Sequence, residues 1–329
     1  MTDDAAVLSI IIVTWNTREA LEACLRSLRR HGPEAAHEII VVDNASADGT
    51  AGLVRAGFPE VHLIEAPRNL GFAGGNNLGA QAAGGRFLLF LNSDTEATPG
   101  VFDAMLRVFE AHRTDAEPLG AVGCRVRYPD GRVQRSARRL PTFAAALHQY
   151  SLLKYAQVLR RAETRQKMAS FGFDVEQPVD TLMGAAVMVD RRAYEAVGGW
   201  DEAYPFGYED VDFSLRLRQA GYVLLFSPCG EVIHYGGTAT KKMRRRRRTL
   251  FRGMFRFFRR SRGRVATLGF KALFVPLYAA RLVVDCPVQA GRTALYLLRG
   301  EGDRARLRWR GLVEDLRSLT TDVWQMWWW

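Results

Sequence analysis

Three carboxylates fall within four residues at Glu209, Asp210 and Asp212, directly after the aromatic, glycine-containing turn Phe206-Gly207-Tyr208. A carboxylate group of this kind can take a proton from an attacking hydroxyl, and it can equally cap a helix, whose first turn favours negative charge. Other polar residues stand at the ends of apolar runs: Thr14 and Asn16, Asp43 and Asn44, Asn92 and Asp94, with His234 far along the chain. Residues 68–79, RNLGFAGGNNLG, read as a glycine-rich loop. Glycines there let the backbone approach a ligand, and Arg68 with the asparagines supplies donors suited to a nucleotide or its diphosphate. No Gly-Lys-Ser/Thr follows and no GxGxxG is present, which sets aside P-loop and dehydrogenase chemistry.

These residues need elements to hold them. Residues 8–13, 38–43, 61–64 and 86–91 are short, continuous apolar runs, the pattern of strands buried on both faces. Residues 18–30 carry Leu21, Leu25 and Leu28 at helical spacing. Strands alternating with helices predict a mostly parallel α/β sheet with ligands beyond the carboxyl ends of its strands, where the polar residues lie. A helix opens at the carboxylate cluster, with Val211 and Leu215, Phe213 and Leu217 as i,i+4 pairs and a stop at Gly221. Further strands are expected at 181–189 and 222–226. Residues 132–180, helical from 143 to 169, read as an insertion over the active-site face. Each single residue has a plainer alternative. His234 can be a structural histidine at a strand end and Asp43 a helix cap. Trp200 and Asp201 can plug a turn, and Arg216 and Arg218 can form a solvated or carboxylate-pairing face.

The chain has 329 residues and a net charge of +11, unevenly spread. Residues 1–240 hold 24 Lys and Arg against 29 Asp and Glu, whereas 241–329 hold 22 against 6. The boundary expected near residue 240 separates an ordinary domain from a tail that wants an anionic partner. The four cysteines are far apart, without CxxC, and the acidic start is not a signal peptide, so a reducing, cytoplasmic setting is expected. Residues 241–264 interleave 13 Lys and Arg with aromatic residues. Residues 265–298 are apolar but interrupted by Lys271, Arg281, Asp285 and Arg292 and broken by Pro276 and Pro287. No run reaches the roughly 20 apolar residues of a spanning helix. A helix in an anionic membrane interface, anchored by Trp324, Trp327, Trp328 and Trp329, fits this pattern. A solvated charge run and a nucleic-acid contact are the alternatives.

Taken together, residues 9–16, 41–50 (VVDNASADGT), 68–79, 91–94 (LNSD) and 207–218 (GYEDVDFSLRLR), with His234 behind them, resemble the family 2 glycosyltransferases, especially rhamnosyltransferase-like members. The resemblance covers about residues 7–240. It implies a GT-A (Rossmann-like) fold, a mostly parallel mixed sheet flanked by helices, here followed by a basic, partly amphipathic helical extension. It implies nucleotide contacts from Thr14, Asn16, Asp43, Arg68, Gly74, Asn76 and Asn92, and a Mg²⁺ or Mn²⁺ ion on Asp94 and His234. Asn92 departs from the family's DxD-like motif, which carries a second carboxylate. Asp210 corresponds to the general base, with Glu209 and Asp212 beside it; Gly184, Trp200 and Asp201 are acceptor-side candidates. The implied enzyme is inverting. It moves a sugar from a nucleoside-diphosphate donor, dTDP-L-rhamnose first and UDP-hexose next, to a lipid-linked or cell-surface polysaccharide acceptor at the inner membrane face. The reading from another class is an inactive scaffold whose arginine-rich tail binds anionic membrane or nucleic acid; of the two, nucleic acid is the less expected.

Overall fold

The computed structural model describes residues 6–112, 117–204, 206–237 and 246–329. The acidic start, the boundary expected near 240 and the first part of the arginine run lie outside the described residues. Strands and helices are numbered along the chain. The strands are β1 Leu8–Thr14, β2 His37–Asp43, β3 His62–Glu65, β4 Phe87–Asn92, β5 Thr95–Ala97, β6 Leu119–Arg127, β7 Val133–Gln134, β8 Ala137–Arg138, β9 Gln177–Pro178, β10 Thr181–Leu182, β11 Ala186–Asp190 and β12 Val223–His234. The helices are α1 Arg18–His31, α2 Thr50–Gly57, α3 Gly71–Ala82, α4 Val101–Ala111, α5 Phe143–Tyr150, α6 Arg160–Gln166, α7 Arg191–Ala196, α8 Glu209–Gln219, α9 Arg246–Arg262, α10 Arg264–Leu298, α11 Gly302–Arg317 and α12 Val323–Gln325.

The chain divides into two units, Met1–Leu140 with Ser170–Arg244, and Pro141–Ala169 with Arg245–Trp329. In the first, one sheet runs in the order β3-β2-β1-β4-β11-β6-β12-β5. β1, β2, β3 and β4 pair in parallel, as do β6 and β12, while β11 runs against both β4 and β6. The carboxyl ends of β1, β2, β4 and β12 therefore share one edge, which carries Thr14, Asp43, Asn92 and His234. Strand alternation sorts the core. Leu8, Ile10 and Ile12 pack with Leu21, Leu25, Phe102 and Met105 of α1 and α4. Ile11 and Val13 turn to the other face and meet α3.

The expected glycine-rich loop is mostly helix. Gly71, at φ +74°, opens α3, which continues through Gly79. A Cβ on Gly79 would lie 2.5 Å from Ile11 Cγ2, and one on Gly75 2.7 Å from Val13 Cγ1. Two of the glycines therefore let a helix lie hard against β1, one turn apart, and their close approach is to protein. The expected strand at 181–189 is two pieces: β10 pairs with β8 in a separate two-stranded sheet, and β11 lies in the main one.

The second unit is helical, and it takes in part of the segment expected to be an insertion of the first. Residues 141–169 belong with the C-terminal helices because Phe143 of α5 stacks on Phe270 at 4.5 Å and meets Phe258 at 4.7 Å. The expected helix over 143–169 is interrupted: α5 and α6 are separated by a 3₁₀ turn, Leu152–Lys154, and by Leu159 at φ +63°. Pro276 and Pro287, expected to break the apolar segment, lie inside one 35-residue helix, α10. A proline inside a helix costs about 3 kcal/mol. Here buried Phe270, Phe274, Tyr278 and Leu282 hold the helix to its neighbours. By length and composition alone α10 is sufficient to cross a membrane, which the sequence pattern did not predict.

Candidate active site

The polar edge of the sheet is built in three connected groups. The first stitches the ends of β1 and β2. Asn44 N–H donates to Thr14 O at 2.9 Å, and Asn16, at φ +53°, accepts from Ala47 N–H at 2.7 Å while its own N–H donates to Ser46 Oγ at 2.8 Å. Buried Asp43 accepts from Ser46 N–H at 3.0 Å. The hydroxyls of Thr14, Thr17 and Ser93 form a chain, with gaps of 2.8 and 3.0 Å, that reaches the end of β4. Asn44 also fixes the entry to α3 by donating to Gly71 O at 2.9 Å and accepting from Leu70 N–H at 3.3 Å.

The second group is Asn92, Asp94 and His234. The antiparallel register His234↔Thr95 between β12 and β5 brings the histidine beside Asp94, and both residues are buried. His234 Nε2 lies 3.2 Å from Asp94 Oδ1 and 3.3 Å from Asn92 Nδ2. Its Nδ1 lies 2.9 Å from Gln134 Oε1, and the same amide donates to His234 O at 2.5 Å, which fixes the amide orientation. An amide oxygen can only accept, so Nδ1 carries a proton, and in the neutral imidazole Nε2 offers a lone pair. That lone pair faces a carboxylate oxygen, and two acceptors so placed fit a cation between them, with Gln134 orienting the imidazole from behind. Among the described residues no group of three or more His, Cys, Asp or Glu could hold a metal by itself. Further ligands to an ion here would come from a donor phosphate and water.

The third group surrounds Asp210. Helix α8 is entered through Gly207 and Tyr208, both at positive φ, +75° and +74°. Asp210 accepts from Val211 N–H at 2.8 Å. Burial raises the proton affinity of Asp210, while the Arg138 guanidinium and the N–H groups of Val211 and Gly184 oppose the rise. Glu209 is pushed up to about 8 by burial and then by the charge of Asp210. Its Oε2 is buried with no hydrogen-bond partner. The next residue after Gly184 connects this group to the second, because Ala185 O accepts from Asn92 N–H at 3.0 Å and from Thr95 Oγ1 at 3.4 Å.

Several expected site residues have other surroundings. Asp212 is fully buried, accepting from Tyr204 OH at 2.9 Å and pairing with Arg216 at 2.7 Å, so it faces the core. Arg216 in turn donates to Val197 O at 2.7 Å and Gly199 O at 2.6 Å, and Arg218 pairs with Asp180 at 3.1 Å. Trp200 is 2% exposed, its ring stacked on Phe213 at 4.3 Å and edge-on to Phe72 and Phe90. It is packed as a core residue. Asp201 turns its carboxylate onto Ala203 N–H at 3.0 Å. Gly74 lies inside α3, 3.5 Å from Glu202 Oε2 by its Cβ direction. Asn76 is buried and donates to Phe72 O within its own helix, so it is no loop donor. Arg68 is exposed. Arg138 and Gln134 were not anticipated. They lie where the sequence has no clear period, and only their register on β7 and β8 reveals them.

Residues 9–176 match the family model described as glycosyl transferase family 2, and residues 165–237 match the N-terminal domain of galactosyltransferase. The chain belongs to the family 2 glycosyltransferases. This glycosyltransferase is 32% identical over 252 residues to the N-acetylglucosaminyl-diphospho-decaprenol L-rhamnosyltransferase of Mycobacterium tuberculosis, covering 73% of this chain and 78% of that one. Its fold resembles the mannosyltransferase PcManGT of Pyrobaculum calidifontis in complex with GDP-Man and Mn²⁺, with a TM-score of 0.54, 19% identity, and 97% and 88% of the two chains covered. It also resembles GalNAc-T7 with UDP, GalNAc and Mn²⁺, with a TM-score of 0.53, 17% identity, and 70% and 43% covered. At those identities the likeness is one of fold, the GT-A architecture.

Proposed function

We propose that this glycosyltransferase is an inverting enzyme that moves a deoxyhexose, L-rhamnose from dTDP-L-rhamnose before a hexose from a UDP-sugar, to a hydroxyl of a lipid-linked acceptor. The mycobacterial relative's name supports the sugar and the acceptor class. The observation that carries the mechanism is the pair of adjacent carboxylic acids in unlike surroundings. Arg138 and backbone N–H groups favour the charged form of Asp210, whereas the burial of Glu209 is opposed by the N–H groups of Glu209 and Gly207 without a guanidinium beside them. Asp210 is then the base: the acceptor oxygen bonds to the anomeric carbon, its proton passes to Asp210, and the bond to the diphosphate breaks. Displacement from the opposite face in one step inverts the centre, and no second carboxylate becomes covalent.

Asp94 and His234 would hold Mg²⁺ or Mn²⁺, which neutralises charge on the departing diphosphate. Thr14, Asn16, Asp43 and Asn92 line the edge where the nucleotide is read, with Arg68 reaching from outside. The basic helical unit places the enzyme peripherally on an anionic membrane surface, at the inner face of the cell membrane, where a lipid-linked acceptor is met. The test is Asp210→Asn. Turnover should fall by about 10² to 10⁴, while nucleotide binding, followed by thermal shift, is kept. Full turnover in this variant would remove Asp210 from the mechanism.

A further inference from the structure

Helix α10 is inside out. Between residues 265 and 291 its charged residues face the protein: Lys271 is buried with Nζ 3.5 Å from Trp327 O, and Arg281 pairs with Asp285 at 3.0 Å and donates to Gln149 O at 3.1 Å. Its outward side is the apolar one. From residue 265 to residue 291 no exposed position carries a polar or charged side chain. Val265, Leu268, Leu273, Val283, Val284 and Val288 are between 44% and 85% exposed. At 1.5 Å per residue this stripe runs for about 40 Å. An unbroken apolar stripe of that length on a water-facing helix marks a surface that something covers.

Charge decides what covers it. Residues 246–329 hold 18 Lys and Arg against 6 Asp and Glu, and no acidic residue occurs from 246 to 284. Arg252, Arg259, Arg260, Arg262 and Arg264 are exposed on α9 and at the start of α10. Trp324 and Trp328 are exposed at 69% and 90%. A second copy would bring the same excess of positive charge, whereas a leaflet of anionic lipid offers hydrocarbon for the stripe, phosphates for the arginines and an interface for the tryptophans. A spanning helix would meet lipid all round. The opposite side of α10 is instead occupied from Thr267 to Leu282, with Phe270 and Phe274 against Phe255 and Tyr278 OH 3.0 Å from Ser318 Oγ. We infer that α10 lies in the membrane plane with residues 265–291 bedded in the hydrocarbon of one anionic leaflet. This rests on the membrane-surface reading above and adds the face and the depth.

The experiment is flotation of the full chain with vesicles of phosphatidylcholine, with and without phosphatidylglycerol, at low and high salt. Wild type should float with the anionic vesicles and stay with them in high salt, because buried apolar surface is not screened. Leu273→Glu with Val283→Glu should weaken that binding at least tenfold, with circular dichroism and melting unchanged; where the pair fails to fold, the uncharged Val283→Gln alone is read the same way. Wild type released completely by salt, or a folded variant that floats like wild type, would keep the membrane reading and overturn the bedded face. Wild type that binds no vesicle would overturn both. A dimer in lipid-free buffer that the variant abolishes, with flotation unchanged, would give the face to a second copy and overturn the inference.

Discussion

Asp210 and Glu209 are neighbours in sequence whose protons are governed by different surroundings. Arg138 holds Asp210 toward its charged form, so Arg138→Met should move the acid limb of the pH–rate profile upward, with Arg138→Lys restoring part of the shift. An unmoved limb would separate Arg138 from the base. Glu209, raised to about 8 against an ordinary 4.5, binds its proton more tightly folded than unfolded. Its folded form is therefore favoured at low pH, and that stability is lost as pH rises from about 4.5 through about 8. Glu209→Gln keeps the shape and removes the titration, so the variant should gain in melting temperature over wild type as pH is raised from 5 to about 9. A constant difference across that range would contradict the buried acid. Asp212 belongs to the same motif and does different work. Breaking the pair between fully buried Asp212 and largely buried Arg216 should cost up to about 3–5 kcal/mol of stability, read by denaturant unfolding of Asp212→Asn.

Helix α3 illustrates how much of an element can be hidden in its residue types. Gly79→Ala would bring a Cβ to 2.5 Å from Ile11 Cγ2, and overpacking of this kind costs about 1–3 kcal/mol. Gly52→Ala in α2 meets nothing within 4 Å and should stabilise by up to about 1 kcal/mol, as alanine does in helix interiors. Equal effects in the two variants would contradict the close packing of α3 on β1. The first four strands were legible because each is a short, mostly apolar run, and the helix at Glu209 because its apolar pairs recur at i,i+4, whereas β6, in the middle of the sheet, was not read from the sequence. The glycine spacing in 68–79 has two physical uses, approach to a ligand and approach to a strand, and sequence alone does not separate them. Trp200 and Asp212 read as site residues for a similar reason, since burial in an aromatic cluster or beside Arg216 depends on partners far along the chain. Pro276 and Pro287 were read as breaks because propensity is local, whereas the packing that overrides it is not.

At the largest scale, the uneven charge in the sequence runs alongside a structural division between an α/β unit with a polar strand edge and a helical unit that carries exposed basic and apolar residues. The boundary between them is less simple than a cut near residue 240, because residues 141–169 join the helical unit through aromatic contacts that have no local signature. On the proposed mechanism the strand edge binds a nucleotide together with a cation on Asp94 and His234. The measurement that tests it most directly is thermal unfolding of wild type and Asp94→Ala with dTDP, UDP, GDP and ADP, each with and without Mn²⁺. A ligand at a hundredfold excess over its Kd adds about 2.7 kcal/mol to the native state. The melting temperature should rise with dTDP before UDP, dependent on Mn²⁺, and the rise should be lost in Asp94→Ala. A nucleotide shift indifferent to both the metal and Asp94, or no shift with any of the four, would contradict it.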